Sequence, residues 1–192
     1  MPRPCTFDRE EVLDRALDTF WCQGYEATSV QDLVDAMGIG RASLYNAFGS
    51  KHDLFLEVLK HYEARRLNGL IATLRDTSPV RRAVRAVLER VVDEAAAPDR
   101  RGCLLTNTAT ELCARDAECA EAVRRNFARL EGAFEAAIRR GRAAGELPST
   151  LDAKALARFL TNTLHGLRVA AKTQPDRAAL EDVVRVTMNV LD

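Results

Sequence analysis

Residues 38–51 read GIGRASLYNAFGSK. Gly38 and Gly40 flank Ile39, and Gly49 closes the run that follows. Leu44 and Phe48 stand four apart, so a helix over residues 41–48 turns both to one side, where they can fasten it to a core. The remaining surface presents Arg41, Ala42, Ser43, Tyr45 and Asn46. A helix this short gains little stability alone. Its two apolar anchors and its polar outer face suit a helix held against a scaffold and offered to a partner.

Upstream, Val30, Leu33, Val34 and Met37 repeat at helical spacing, with Thr28 as the expected cap and Gln31 at the capping-box position. Two helices joined by a glycine-centred turn make a helix-turn-helix. An earlier helix is expected from Asp8, with Glu11 as reciprocal partner. Val12, Leu13, Ala16, Leu17 and Phe20 form its buried stripe and Gly24 its stop. In such a unit the second helix of the pair enters the DNA major groove. Arg41 suits guanine, Asn46 adenine and Ala42 a thymine methyl. Ser43 and Tyr45 suit phosphates, as does Thr28 at the start of its helix. Lys51 falls in the first turn of the next helix, where its charge opposes the helix dipole and an adjacent phosphate would offset that cost.

Bulk composition alone does not announce a DNA-binding protein. The 192 residues carry no net charge. The first 55 hold five Arg or Lys against nine Asp or Glu, a balance of −4, so binding must rest on where the cations sit. With 47% hydrophobic and 29% charged residues, disorder is not expected. No apolar run reaches 18 residues and the N-terminus lacks a signal-peptide pattern, so a cytoplasmic protein without a membrane span is expected. Five cysteines, an odd number, favour reduced thiols.

Beyond residue 50 every segment reads as helix. Ser50 and Asp53 open a helix reaching about Thr73, Ser78-Pro79 opens another, and PDRRG at 98–102 is a loop. Further helices are expected over 103–113, 116–141, 151–172 and 176–191. The fold expected is all-α. Residues 1–50 form an N-terminal three-helix DNA-binding domain, and residues 51–192 a C-terminal helical domain for ligand binding and dimerisation. The last two helices carry Leu156, Phe159, Leu160, Leu164 and Leu167, then Leu180, Val183, Val184, Thr187, Val190 and Leu191, stripes that can pair in a homodimer. The segment RGCLLTNTATEL, 101–112, sets Cys103, Asn107 and Glu111 among apolar residues. With Phe127, Leu130, Phe134, His165 and Arg168 these can line a mixed effector pocket, or form a satisfied internal network. Arg100 and Arg101 precede Cys103, which would favour a thiolate if it also starts a helix. Cys113 and Cys119 lack tight metal spacing even with Cys103 and His165 considered, so no metal and no cofactor is expected. An enzyme built on Cys103, His165 and Glu111 is the alternative of another class. No phosphate loop or metal motif supports it.

The stretch FWCQGYEATSVQDLVDAMGIGRASLYNAFGSKHDLF, residues 20–55, strongly resembles the DNA-binding domain of the TetR transcriptional regulators. The matching elements are Phe20, Gly24-Tyr25, Thr28-Ser29-Val30, Leu33, Gly38-Ile39, Ser43-Leu44-Tyr45, Phe48 and Lys51. The resemblance implies a homodimer that represses genes by binding palindromic double-stranded operator DNA until a small-molecule effector enters the C-terminal domain. It places Thr28, Arg41, Ala42, Ser43, Tyr45, Asn46 and Lys51 near DNA. Gly40 departs from the family, where serine or threonine is common. The Gly102-Cys103 pair resembles a subgroup in which some members sense electrophiles or oxidants through that cysteine.

Overall fold

A computed structural model describes residues 7–95, 101–173 and 176–192. Arg3, Cys5 and Arg100, and most of the 98–102 loop, lie outside the described residues. The described chain contains ten α-helices and one π-helical turn. They are α1 (Arg9–Gln23), α2 (Val30–Met37), α3 (Arg41–Phe48), α4 (Lys51–Tyr62), the π-helical turn Glu63–Leu67, α5 (Asn68–Asp76), α6 (Val80–Ala95), α7 (Leu104–Glu111), α8 (Ala117–Ala143), α9 (Ala153–Thr173) and α10 (Arg177–Asn189).

Local chemistry sets the boundaries. Asp8 caps α1 by accepting from the N–H groups of Glu10 and Glu11. Gly24 ends α1 at φ +85°, a conformation that disfavours a side chain. The expected cap of α2 is one residue early. Ser29, not Thr28, accepts from Asp32 N–H, and Asp32 returns the bond to Ser29 N–H, so the capping box is Ser29/Asp32 rather than Thr28/Gln31. The helix expected to run from residue 50 to about Thr73 is α4, the π-helical turn and α5 without a break in the chain path. Its extra backbone step falls at Glu63–Leu67.

Apolar side chains gather in two clusters. One joins α5, α6, α8, α9 and α10 through residues such as Leu74, Leu88, Phe134, Leu160 and Leu164. The other joins α1–α4 but also takes in Cys103, Leu104, Leu105 and Leu112 from α7 and its flanks, with Cys119, Ala122 and Val123 from α8. The first three helices therefore share a core with α7 and the start of α8. Movement of either is felt by the helix-turn-helix, because close-packed cores transmit displacement.

The surface of α9 and α10 differs from the stripes expected. Leu156, Leu160, Leu164, Leu167, Leu180, Val184, Thr187 and Leu191 are buried within the chain's own core. The apolar side chains left outside are Phe159, Val169, Val183, Val186 and Val190, all on α9, α10 or the residue after α10. Apart from Tyr45 on α3, they are the exposed large apolar residues among those described. An exposed apolar surface of this kind commonly marks a protein–protein contact.

Candidate nucleic-acid interface and effector site

Helix α3 is fastened as its spacing predicts. Leu44 is 0% and Phe48 4% exposed, while Arg41, Ala42, Tyr45 and Asn46 face out and Ser43 is half-buried. Phe48 also lies under Arg9, whose guanidinium sits 4.4 Å from the ring centroid. Beneath, Phe20 meets Phe55 edge-on at 4.9 Å, and Tyr25 packs on Phe55 at the same distance.

The cations sort into two groups. Arg9 pairs with Glu57 and Arg15 with Glu11, at 2.6 and 2.5 Å. Arg41 and Lys51 make no ion pair among the described residues. Lys51 instead holds its ammonium 4.4 Å above the ring of Tyr25, which moderates its unfavourable place at a helix N-terminus. The unit is net acidic, yet among the described residues its unpaired positive charge lies on or beside α3. Thr28 is not there to be read. It is 0% exposed, and its hydroxyl donates to Gly24 O at 2.6 Å, so its side chain is structural.

The eight residues expected to line one pocket separate into two groups. Cys103, Phe127, Leu130, His165 and Arg168 converge with Tyr62 and Arg66. Asn107, Glu111 and Phe134 do not join them. Asn107 donates to Arg101 O at 3.1 Å and accepts from Lys172 at 3.3 Å near the surface. Phe134 is 0% exposed in the core. Glu111, at the far end of α7 from Cys103, accepts from Tyr25 N–H at 3.1 Å and Glu26 N–H at 2.9 Å. It thereby ties α7 to the turn between α1 and α2. A Cβ at Gly24 would stand 3.1 Å from both Glu111 oxygens, so the latch also depends on that glycine. With Glu111 committed there, Cys103, His165 and Glu111 make no catalytic trio.

Three adjoining cavities meet at Arg168. One, of about 110 Å³, lies among Trp21, Tyr62, Arg66, Arg90, Glu94 and Arg168. Glu94 is its single carboxylate among the described residues, shared by Arg66 and Arg90 at 3.1 Å each. Arg168 is part-buried, and among the described residues its one hydrogen-bond partner is Cys103 Sγ, at 3.4 Å. A guanidinium has five N–H donors. The indole N–H of Trp21, the Oδ1 of Asn126 and both ring nitrogens of His165 are also buried without hydrogen-bond partners among the described residues. Sequence reasoning missed Trp21 and Tyr62, because aromatic residues on apolar helix faces carry no sign of lining a cavity.

Protonation follows from these contacts. Burial pushes the Cys103 thiol up, but Arg168 and the Tyr62 hydroxyl, which donates to Sγ at 3.5 Å, outweigh it and hold the thiol below its ordinary value. Among the described residues the cation beside Cys103 is thus Arg168 rather than Arg101, which reaches Asp18 at 2.6 Å and the Trp21 ring at 4.4 Å. Burial pushes His165, stacked 4.0 Å from Phe127, down to about 4, and Arg168 adds to the effect. The unfolded histidine takes its proton near 6.5. Between these values the unfolded chain binds more protons, so stability is complete above about pH 6.5 and is lost as pH falls toward 4. Urea unfolding should show about 2 kcal/mol of pH 5 destabilisation relative to pH 7 that His165→Phe abolishes. Equal pH dependence in the two proteins would refute this origin.

Residues 12–58 match the profile of the bacterial regulatory proteins of the tetR family, and residues 74–187 match the tetracyclin repressor-like C-terminal domain. The chain belongs to the TetR family. It is a transcriptional regulator and not an enzyme: the N-terminal unit binds DNA, and the C-terminal unit binds ligand and dimerises. It is 37% identical over 194 residues to the uncharacterized HTH-type transcriptional regulator YezE of Bacillus subtilis, covering 100% of both. The HTH-type transcriptional repressor ComR of Escherichia coli is 31% identical over 191 residues, covering 98% of this chain and 90% of ComR. Among solved structures, a cysteine mutant of the TetR family regulator CifR, complexed with 26 bp double-strand operator DNA, matches with TM-score 0.89 and 34% identity. That match covers 99% of this chain and 100% of the CifR chain. Among the described residues, no helix of this TetR regulator is long and apolar enough to cross a membrane.

Proposed function

We propose that the protein is a cytoplasmic homodimeric repressor. Residues 1–50 read a palindromic operator, and residues 51–192 release it when a small anionic effector binds around Arg168. Arg41, Ala42, Ser43, Tyr45, Asn46 and Lys51 form the reading surface. The carrying observation is that Arg41 and Lys51 stand unpaired on the one face of an acidic unit that also exposes Tyr45 and Asn46. Pairing through α9 and α10 presents two such faces to half-sites separated by about 34–36 Å, or a multiple. The promoter fragment of the protein's own gene should be retarded in a mobility shift, with retention falling as salt rises. Retention that ignores sequence or salt would sink the reading.

Arg168 indicates the effector's charge. A part-buried cation with no carboxylate in hydrogen-bond reach among the described residues favours an anion, and the flat apolar walls from Trp21, Tyr62 and Phe127 favour a carboxylate on an apolar body. Binding there bears on the π-helical turn through Arg66 and Leu67, and hence on α4, which leads to α3. A panel of aliphatic and aromatic monocarboxylates at about 100-fold over Kd should stabilise the protein by about 2.7 kcal/mol, roughly 5–10 °C in melting temperature. Arg168→Met should abolish that shift while leaving operator binding intact. A panel that shifts neither protein, or both equally, removes the anionic reading.

The lowered thiol supports a second reading, in which Cys103 is itself the target of an electrophile. With iodoacetamide the thiolate would form a C–S bond as iodide leaves. Release of operator by that reagent should vanish in Cys103→Ser, and an unchanged response would exclude Cys103.

A further inference from the structure

A second polar cluster joins the DNA-reading end to the C-terminal helices, away from Arg168. His52 lies in the first turn of α4, just after α3, and Asp116 caps α8. His52 Nε2 is 2.8 Å from Asp116 Oδ2, and Nδ1 is 3.6 Å from Glu118 Oε2. Each ring nitrogen therefore faces a carboxylate. Cys119, fully buried, supplies a third group. Its Sγ, a nitrogen of His52 and a carboxylate oxygen of Asp116 all lie within 4.8 Å of one another. Asp116 Oδ1 accepts from Cys119 N–H at 2.9 Å, which fixes the carboxylate while its other oxygen stays on the His52 side.

We propose that His52, Asp116 and Cys119 bind a divalent cation of the zinc class. Imidazole, carboxylate and thiolate are zinc's ordinary ligands, and tetrahedral ligation sets them about 3.4–3.6 Å apart, within reach of small side-chain shifts. Without metal, Nε2–H donates to Asp116 Oδ2 at 2.8 Å. Once the ion takes Nε2 the ring proton belongs on Nδ1, and Glu118 Oε2, 3.6 Å away, is placed to move in and accept it, as a supporting partner of a metal-bound histidine does. Binding displaces the thiol proton to solvent, and one dipositive ion then balances the thiolate and the Asp116 carboxylate. Water fills the fourth position. The ion would cross-link the first turn of α4 to the N-terminus of α8 and so restrain α3 against the C-terminal helices, independently of the Arg168 cavity. Sequence spacing conceals the site because His52 and Asp116 are 64 residues apart.

Zinc titration of the full-length, chelator-stripped protein against a chromophoric competitor should show one site per chain with a submicromolar Kd. His52→Gln and Cys119→Ala should each weaken it at least tenfold, and Glu118→Gln by a smaller factor. Cobalt(II) in place of zinc should give a thiolate-to-metal charge-transfer band that Cys119→Ala removes. If Cys119→Ala fails to fold, the half-buried His52 and exposed Glu118 variants, with the wild-type cobalt spectrum, decide the matter. No zinc binding at 100-fold higher concentration, a cobalt spectrum without a thiolate band, or unchanged binding by His52→Gln would each overturn the site.

Discussion

Replacing Tyr45 with alanine should lower operator affinity roughly tenfold to a hundredfold while leaving the fold intact. Tyr45 is 43% exposed, and α3 is held by Leu44 and Phe48 rather than by this ring. Folding therefore loses little, because an exposed side chain without a structural partner costs about 0.5 kcal/mol or less. Binding loses a ring and hydroxyl placed between Arg41 and Asn46. Arg41→Ala should cost about 1–3 kcal/mol and relax the preference at one base pair. Lys51→Gln should weaken all sequences together and make the salt slope shallower by about 0.9. Mobility shifts at several salt concentrations, with circular dichroism melts, separate these effects. Unchanged operator affinity in both Tyr45→Ala and Arg41→Ala would remove α3 as the reading helix.

Glu111→Ala should uncouple effector from operator. The Glu111 carboxylate is the acceptor that the turn at Tyr25 and Glu26 receives from α7, and both bonds are charge-assisted. Its loss strands the half-buried Tyr25 N–H, while water can reach that of the exposed Glu26. The cost is about 2 kcal/mol, or roughly 4–8 °C in melting temperature. The larger effect is on response. Cys103 and the Arg168 cavity stand at one end of α7 and the latch at the other. A ligand that shifts this rigid helix by a fraction of an ångström reaches Gly24, Thr28 and α2 most directly through the latch, beyond what the shared core transmits. The variant should bind operator yet release it at effector concentrations at least tenfold higher. Glu111→Gln, which keeps one carbonyl acceptor, should fall between. Wild-type release by Glu111→Ala would show that coupling runs through the π-helical turn and α4 instead.

Reading the sequence succeeds where an interaction is local and fails where two local solutions compete. Thr28-x-x-Gln31 and Ser29-x-x-Asp32 are both plausible capping boxes, one residue out of phase. Tertiary packing selects the second by burying Thr28 and spending its hydroxyl on Gly24 O. On α9 and α10 apolar residues occur on opposite sides. Their spacing marks both faces as buried but cannot say which one the chain covers itself. Packing against α6 and α8 claims Leu160, Leu164 and Val184, leaving Phe159, Val183 and Val186 outside.

The sequence by itself determined an all-helical chain, the glycine-bounded turn before α3, the two anchors of that helix and the face it offers. All of these follow from contacts three or four residues apart and from backbone preferences a single residue sets. Only the tertiary structure decided that Glu111 holds the turn after α1, that Arg168 rather than a neighbouring arginine attends Cys103, and that His52 meets Asp116 and Cys119. Those partners lie 86, 65 and 64 residues apart for the Tyr25–Glu111, Arg168–Cys103 and His52–Asp116 contacts. No local periodicity encodes such pairings, which arise when separate helices bury their apolar faces and carry their polar groups together.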